Sequence, residues 1–280
     1  MGRRKTYDEL TFTDDFMFSE VMGNHPEICQ ELAELLTGRK VLEVRLPEAQ
    51  KEEKFLYEGR GVRFDIYFED QANTVYDIEM QTVVRTSIKK RSRYYSSMLD
   101  MDHLRQHMSY SELPDTYIVF ICLDDPFHRD SVRYTFRETC EELPDLKLED
   151  GSTIIFINSK GRDGTSPELQ DFLEYLNGRL PKSDLTEAID RAVRDQKEDE
   201  RGRRKYMTLQ EHYDIEHEDG VQEGIVRGRK EGRKEGIAAG QKQMSLVLKN
   251  LFDAGKTDEV EKALNDEDYL NKLITEFKDK

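Results

Sequence analysis

The sequence predicts an α/β fold, a mixed β-sheet flanked by helices, followed by a charged helical tail in which glycine recurs at a fixed spacing. Three observations predict it. Residues 63–81, RFDIYFEDQANTVYDIEMQ, alternate apolar and polar side chains on either side of a turn, the pattern of two paired strands. Two later runs, YIVFICL from Tyr117 to Leu123 and TIIFIN from Thr153 to Asn158, are short, β-branched and apolar on both parities, as strands buried on both faces are. The segments between them carry helical periodicity, and helices on either side of one sheet are the economical way to cover such strands.

Taken in order, Thr13 can cap a helix, DDFMFSEVMG, that ends at Gly23. A second helix begins near Pro26, where Ile28, Leu32, Leu35 and Leu36 form a stripe. Val41–Leu46 reads as a strand. The hairpin follows, with Phe64, Ile66 and Phe68 on one side of its first arm and Arg63, Asp65, Tyr67 and Glu69 on the other. In its second arm Tyr76, Ile78 and Met80 are apolar, whereas Asp77, Glu79 and Gln81 are polar. With the turn centred on Ala72, residues whose numbers sum to 144 face each other, so Asp65 lies opposite Glu79. Opposed side chains have Cβ atoms about 4.5–5.5 Å apart, and like charges so placed repel unless something positive lies between them. Two readings stay open here: the solvated face of an amphipathic hairpin, or a metal or catalytic site.

After Thr82 the pattern is helical through TSIKKRSRYYSSMLDMDHL, which places Arg91 and Tyr95, four apart, on one face. His103 and His107 have the spacing of a zinc pair but no third ligand, and read as a helix end. Beyond Gly178 residues 182–218 are dense in charge, and glycine then stands at 220, 224, 228, 232, 236 and 240. Four residues advance about 400° around a helix, so these glycines lie nearly one above another. Each costs about 0.8–1 kcal/mol against alanine in a helix, roughly 5 kcal/mol together. Either a second helix packs into the glycine groove, most economically the same segment of a second chain, or residues 220–240 are a solvated tether to small C-terminal helices.

The chain of 280 residues is 36% hydrophobic and 36% charged, with a mean hydropathy of −0.82, which favours one core with a polar annex. No run approaches the ~18 apolar residues of a membrane span, and MGRRKTYDEL lacks an apolar signal region, so the expectation is a cytoplasmic protein with no membrane span. Cys29, Cys122 and Cys140 read as buried thiols. A net charge of −16 opposes a nucleic-acid footprint, although Arg3 to Lys5, Arg85 to Arg93, Arg201 to Lys205 and Arg227 to Lys234 are local basic clusters.

The ordered set of an FMF helix, RFDIYF, DIEMQ, KKRSRYYSSML, YIVFICL, YTFRETCEE, LEDGSTIIFIN and an EG-repeat tail resembles the PD-(D/E)XK nuclease family transposases, the Rpn-type recombination-promoting nucleases. The resemblance implies a restriction-endonuclease-like sheet over residues 1–180; the charge density and glycine spacing beyond it divide the rest into a charged helical linker over 181–219 and a glycine-repeat helix with small helical segments over 220–280. The resemblance makes Asp65 the lone Asp of the first strand motif and Glu79-Met80-Gln81 an E-x-Q form of the D/E-x-K motif. Two carboxylates then hold Mg²⁺ (or Mn²⁺) with bonds of about 2.0–2.1 Å, Met80 adding its backbone carbonyl. A water polarised by the ion attacks the phosphodiester of DNA. Gln81 departs from the usual lysine; a neutral amide can orient a water or a ligand but cannot accept a proton for catalysis. Glu20 is a candidate for a carboxylate supplied by the first helix, or else a solvated residue. Lys89, Lys90, Arg91, Arg93 and Tyr95 are the candidate DNA contacts. The implied activity is metal-dependent DNA endonuclease, and the alternative is a nuclease-fold DNA-binding or regulatory protein with weak or no turnover.

Overall fold

The structure is a computed structural model that describes residues 4–44, 47–53, 61–104 and 106–278. It divides into two units, residues 1–206 and 207–280.

In the first unit, helix α1 spans Asp15–Asn24 and α2 spans Pro26–Thr37. Asp14, not Thr13, stands at the start of α1; its carboxylate takes the Thr11 N–H at 2.7 Å and the Lys5 ammonium at 2.7 Å. Helix α2 ends at Gly38, whose φ of 71° is the left-handed conformation that favours glycine at a helix C-terminus. Ile28, Leu32 and Leu36 of its stripe are fully buried, while Leu35 is partly exposed.

The expected strand at Val41–Leu46 is absent from the described residues: Val44 makes a single antiparallel bridge to Asp70, and Arg45 and Leu46 lie outside them. Strand β1 is instead Glu48–Glu53, EAQKEE, followed by β2 (Val62–Glu69) and β3 (Val75–Gln81). Then come α3 (Ile88–His103), β4 (Thr116–Cys122), β5 (Arg133–Phe136), β6 (Ser152–Asn158), α4 (Pro167–Leu176) and α5 (Asp184–Glu198). The sheet runs β1-β2-β3-β4-β6-β5, antiparallel at both flanks and parallel across β3, β4 and β6. A charged β1 suits its place at the edge, where Lys and Glu discourage pairing with another chain. The parallel centre needs the crossover that α3 supplies between β3 and β4.

Helix α3 buries Ile88, Ser92, Tyr95, Met98 and Leu99, a helical spacing, against Ile118, Phe120 and Cys122 of β4 and Phe156 of β6. The other face of the sheet carries the stacked rings of Phe68, Tyr76 and Tyr117, and Arg39, just after α2, lies over Tyr117 at 4.9 Å. Helix α5 closes this unit with Leu185, Ile189, Ala192 and Val193 buried. Cys29 and Cys122 are buried as expected, but Cys140 is partly exposed, its thiol directed to Glu142.

Helix α6 runs without interruption over Glu200–Asp253, 54 residues. Its first turns belong to the first unit, where Tyr206 packs on Tyr7 and Phe16. In the second unit, α6 is followed by α7 (Thr257–Asn265) and α8 (Glu267–Lys278), and Val247, Leu251, Ala263 and Leu273 form a small core between them. Residues 211–242 of α6 are exposed all round, and a Cβ added at any of the six repeat glycines meets nothing within 4 Å. No helix among the described residues is long and apolar enough to cross a membrane.

Candidate active site

The hairpin places the site. Strands β2 and β3 pair from Ile66↔Ile78 to Glu69↔Val75, the register expected from the turn, and Asp70 closes the turn by accepting the Ala72 and Thr74 N–H groups at 2.9 and 3.0 Å. One step beyond Ile66 the ladder gives way to side chains. The Asp65 N–H donates to Glu79 Oε1 at 2.9 Å, and the Met80 N–H donates to Asp65 Oδ2 at 3.0 Å. This exchange interrupts the period-two alternation. Phe64, expected beside Ile66 and Phe68, instead packs edge-on against Tyr95 under α3, in the same cluster as Tyr67.

The polar face is not solvated. Asp65 is 9% exposed, Glu79 2% and Asp77 0%, because α3 lies across them. Burial is the first cause that pushes all three carboxyls up. For Asp65 the rise is to about 7; Asp15 adds to it, while the Met80 N–H, Arg63 and Arg91 oppose it. Glu79 is raised well above the usual carboxylate range by burial and then by Asp65, and Asp77 likewise by burial and then by Glu79. Neither oxygen of Asp77 meets a donor among the described residues. The compensating charge comes from α3: Arg91 Nη2 reaches Glu79 Oε2 at 3.1 Å, and its guanidinium lies over the rings of Tyr95 and Phe120 at 5.3 and 5.2 Å.

Gln81 Nε2 donates to the Met80 carbonyl at 3.0 Å and approaches Glu79 Oε2 at 3.4 Å. A cleft of about 620 Å³ opens over this cluster, lined by Asp65, Glu79, Met80 and Gln81, and by Arg91 and Tyr95. Lys90 and Tyr94 of α3 also line it, as does Asp15, whose carboxylate pairs with Arg63 at 3.1 Å.

Of the remaining residues singled out in the sequence, Tyr95 borders this cluster and the others fall outside it. Glu20 pairs with Lys205 and is not among the residues lining the cleft; the α1 carboxylate that does line it is Asp15. Tyr95 is buried, with its hydroxyl donating to the Arg63 carbonyl at 3.3 Å, and the exposed aromatic at the cleft is Tyr94. Lys89 and Arg93 are exposed on α3, Lys89 over the Phe127 ring at 4.6 Å. His103 accepts or donates with the Tyr67 hydroxyl at 2.9 Å, consistent with a helix end and not with a metal pair. Asp77 and Asp15 are the site residues that the sequence pattern does not single out. Asp77 shares the parity of Glu79, and Asp15 directly precedes the apolar FMF of α1.

Among the described residues no three His, Cys, Asp or Glu side chains are grouped as a metal cage. The donor set is smaller: two carboxylates that each commit one oxygen to a backbone N–H, and the Met80 carbonyl. Hard oxygen donors in such number fit Mg²⁺, which keeps several of its waters and takes only one or two carboxylates.

Comparison with known proteins adds one finding. The model of the PD-(D/E)XK nuclease family transposases matches residues 13–175, which include α1 to α3, the whole sheet and the cleft. No curated protein and no solved structure gives a match.

Proposed function

Because the chain belongs to the PD-(D/E)XK nuclease family transposases, whose members are nucleases, we propose that it is a divalent-metal-dependent DNA endonuclease and that Asp65 and Glu79 are its metal ligands. The observation that carries this reading is the reciprocal anchoring of the two carboxylates by each other's strand, which holds both at the cleft against their mutual repulsion. Asp65 and Glu79 would each offer the oxygen not committed to a backbone N–H, and Met80 its carbonyl, to Mg²⁺ or Mn²⁺. A divalent ion held by these residues would supply polarisation of a water and stabilisation of charge on the scissile phosphate.

The chain's own groups do the rest. Gln81, with an amide in place of the superfamily's lysine, orients the attacking water or a ligand through hydrogen bonds and contributes no charge. Lys89, Lys90 and Arg93 on the exposed side of α3 offer the phosphate contacts that position DNA, and Arg91 offers a guanidinium inside the cleft. Pairing of two copies through residues 220–240, which would bring two sites to a duplex, belongs to the same reading. Plasmid cleavage with Mg²⁺, with Mn²⁺ and with EDTA tests it. Nicking that requires the metal supports the reading, and a protein that binds DNA but leaves it intact under all three conditions supports the regulatory alternative.

A further inference from the structure

The donors already seated on the proposed ligand oxygens have a consequence for how the site loads. Glu79 Oε1 is taken by the Asp65 N–H, so Oε2 is the oxygen left for a ligand. That oxygen accepts from Arg91 Nη2 at 3.1 Å and lies 3.4 Å from Gln81 Nε2. The same Gln81 nitrogen donates to the Met80 carbonyl at 3.0 Å, so one amide spans two of the three oxygens that the metal reading assigns to the ion. A dication bonded to Oε2 at about 2.0–2.1 Å cannot sit beside a guanidinium that is itself in contact with Oε2 without strong repulsion in so buried a place.

Arg91 has somewhere to go. Its guanidinium lies over two flat rings, Tyr95 and Phe120, and among the described residues Glu79 is the side chain that it hydrogen-bonds. Its Nε–H, moreover, is buried with no acceptor among the described residues. A guanidinium that offers Nε and Nη together matches the paired oxygens of a phosphate, which a single contact to Glu79 does not use.

We propose that Arg91 and Gln81 are stand-ins for the metal: their N–H groups hold the ligand oxygens until a divalent ion displaces them, which turns the Gln81 amide and releases Arg91 to take the substrate phosphate. The inference rests on the metal reading above and deepens it. It makes metal and DNA binding mutually reinforcing, because each removes an obstacle to the other, and such coupling is reciprocal. Arg91 is on this account a positioning residue for the ion before it is a phosphate contact.

The test uses the full chain, ¹⁵N-labelled, titrated with MgCl₂ while the side-chain resonances of Arg91 and Gln81 are followed by NMR and the binding isotherm is taken by calorimetry. Both resonances are expected to move with the calorimetric midpoint in the native chain, and to stay in place in Glu79→Gln. Arg91→Met, which keeps the ring contacts and removes the charge, is expected to raise Mg²⁺ affinity about tenfold, read at a pH where affinity has reached its plateau. Calorimetric binding of Mg²⁺ to the native chain with both resonances unmoved overturns the inference while leaving the metal site intact. No binding of Mg²⁺ to the native chain removes the metal site itself, and this inference with it.

Discussion

Asp65 and Glu79 are tied to each other through backbone as well as charge: the Asp65 N–H donates to Glu79 Oε1, and the N–H of the residue after Glu79 donates to Asp65 Oδ2. The two acids are therefore held together at a point where electrostatics alone would separate them. Replacing Asp65 by Ala is expected to abolish cleavage, by more than the roughly 10–100-fold typical of changes outside the metal's direct ligands. Its thermal midpoint should fall, because the buried Met80 N–H loses its acceptor, whereas Asp65→Asn keeps an acceptor there and should hold the midpoint while losing the charge. Glu79→Gln is the better partner test than Glu79→Ala, since it keeps an acceptor for the Asp65 N–H and avoids leaving Arg91 unpaired in the core. Cleavage at the native rate by either variant, measured on a plasmid, removes the pair from the chemistry.

Burial gives the same group a stability signature. Burial pushes the Asp65 carboxyl of the folded chain up to about 7, against an ordinary 3.8, when no ion is bound. Its folded value is raised, so its contribution is fully present below the ordinary value and is lost as pH rises toward 7. A shift of that size corresponds to roughly 4 kcal/mol at most. The native chain is thus expected to lose stability between about pH 4 and pH 7 relative to Asp65→Asn, and Mg²⁺ should restore it. Calorimetric melts of both proteins across that range check this; parallel curves would show that Asp65 does not titrate there.

How far these features are legible in the sequence depends on what enforces each. The opposition of Asp65 and Glu79 is readable because a turn and a period of two leave only one register. The burial of Asp77 is not, since a polar residue on a strand looks solvated until a helix is laid across it, and nothing local in YDIEMQ announces α3. Phe64 departs from the face that alternation predicts because hydrogen bonds to the Glu79 and Asp65 side chains replace the ladder that the alternation assumes. Strand β1, EAQKEE, has no apolar pattern at all; its place is set by backbone pairing to β2, which no side chain encodes. Strand β5 is only Arg133–Phe136, too short for a pattern to establish itself.

The exposed basic side of α3 is expected to supply affinity without sequence preference. Removing Lys89, Lys90 and Arg93 together should weaken DNA binding and flatten its dependence on salt by about three in the logarithmic slope, near one for each phosphate no longer neutralised. Arg91 is left in place, because its removal would also disturb Glu79. Fluorescence anisotropy at several salt concentrations gives the slope, and an unchanged slope puts the DNA path elsewhere on the molecule.

The glycine repeat lies in α6, a continuous helix in which residues 211–242 stay exposed within the chain. A helix that carries about 5 kcal/mol of glycine deficit and buries none of that length needs another source of stability, or it frays in solution. Rows of residues four apart lead two helices to cross at about −50° instead of running side by side, so a second copy would meet α6 over a few turns only, where small residues let the backbones approach. Because every added Cβ finds open space in the single chain, Gly→Ala at Gly224, Gly228 and Gly232 is expected to raise the helicity of an isolated chain and to split a dimer packed through the stripe. Light scattering on the native chain, on this variant and on a chain ending at Tyr206, the boundary of the first unit, decides between them. A dimer that becomes monomeric in both altered proteins establishes the packing, whereas a native monomer whose helicity rises with alanine leaves the repeat as a solvated tether.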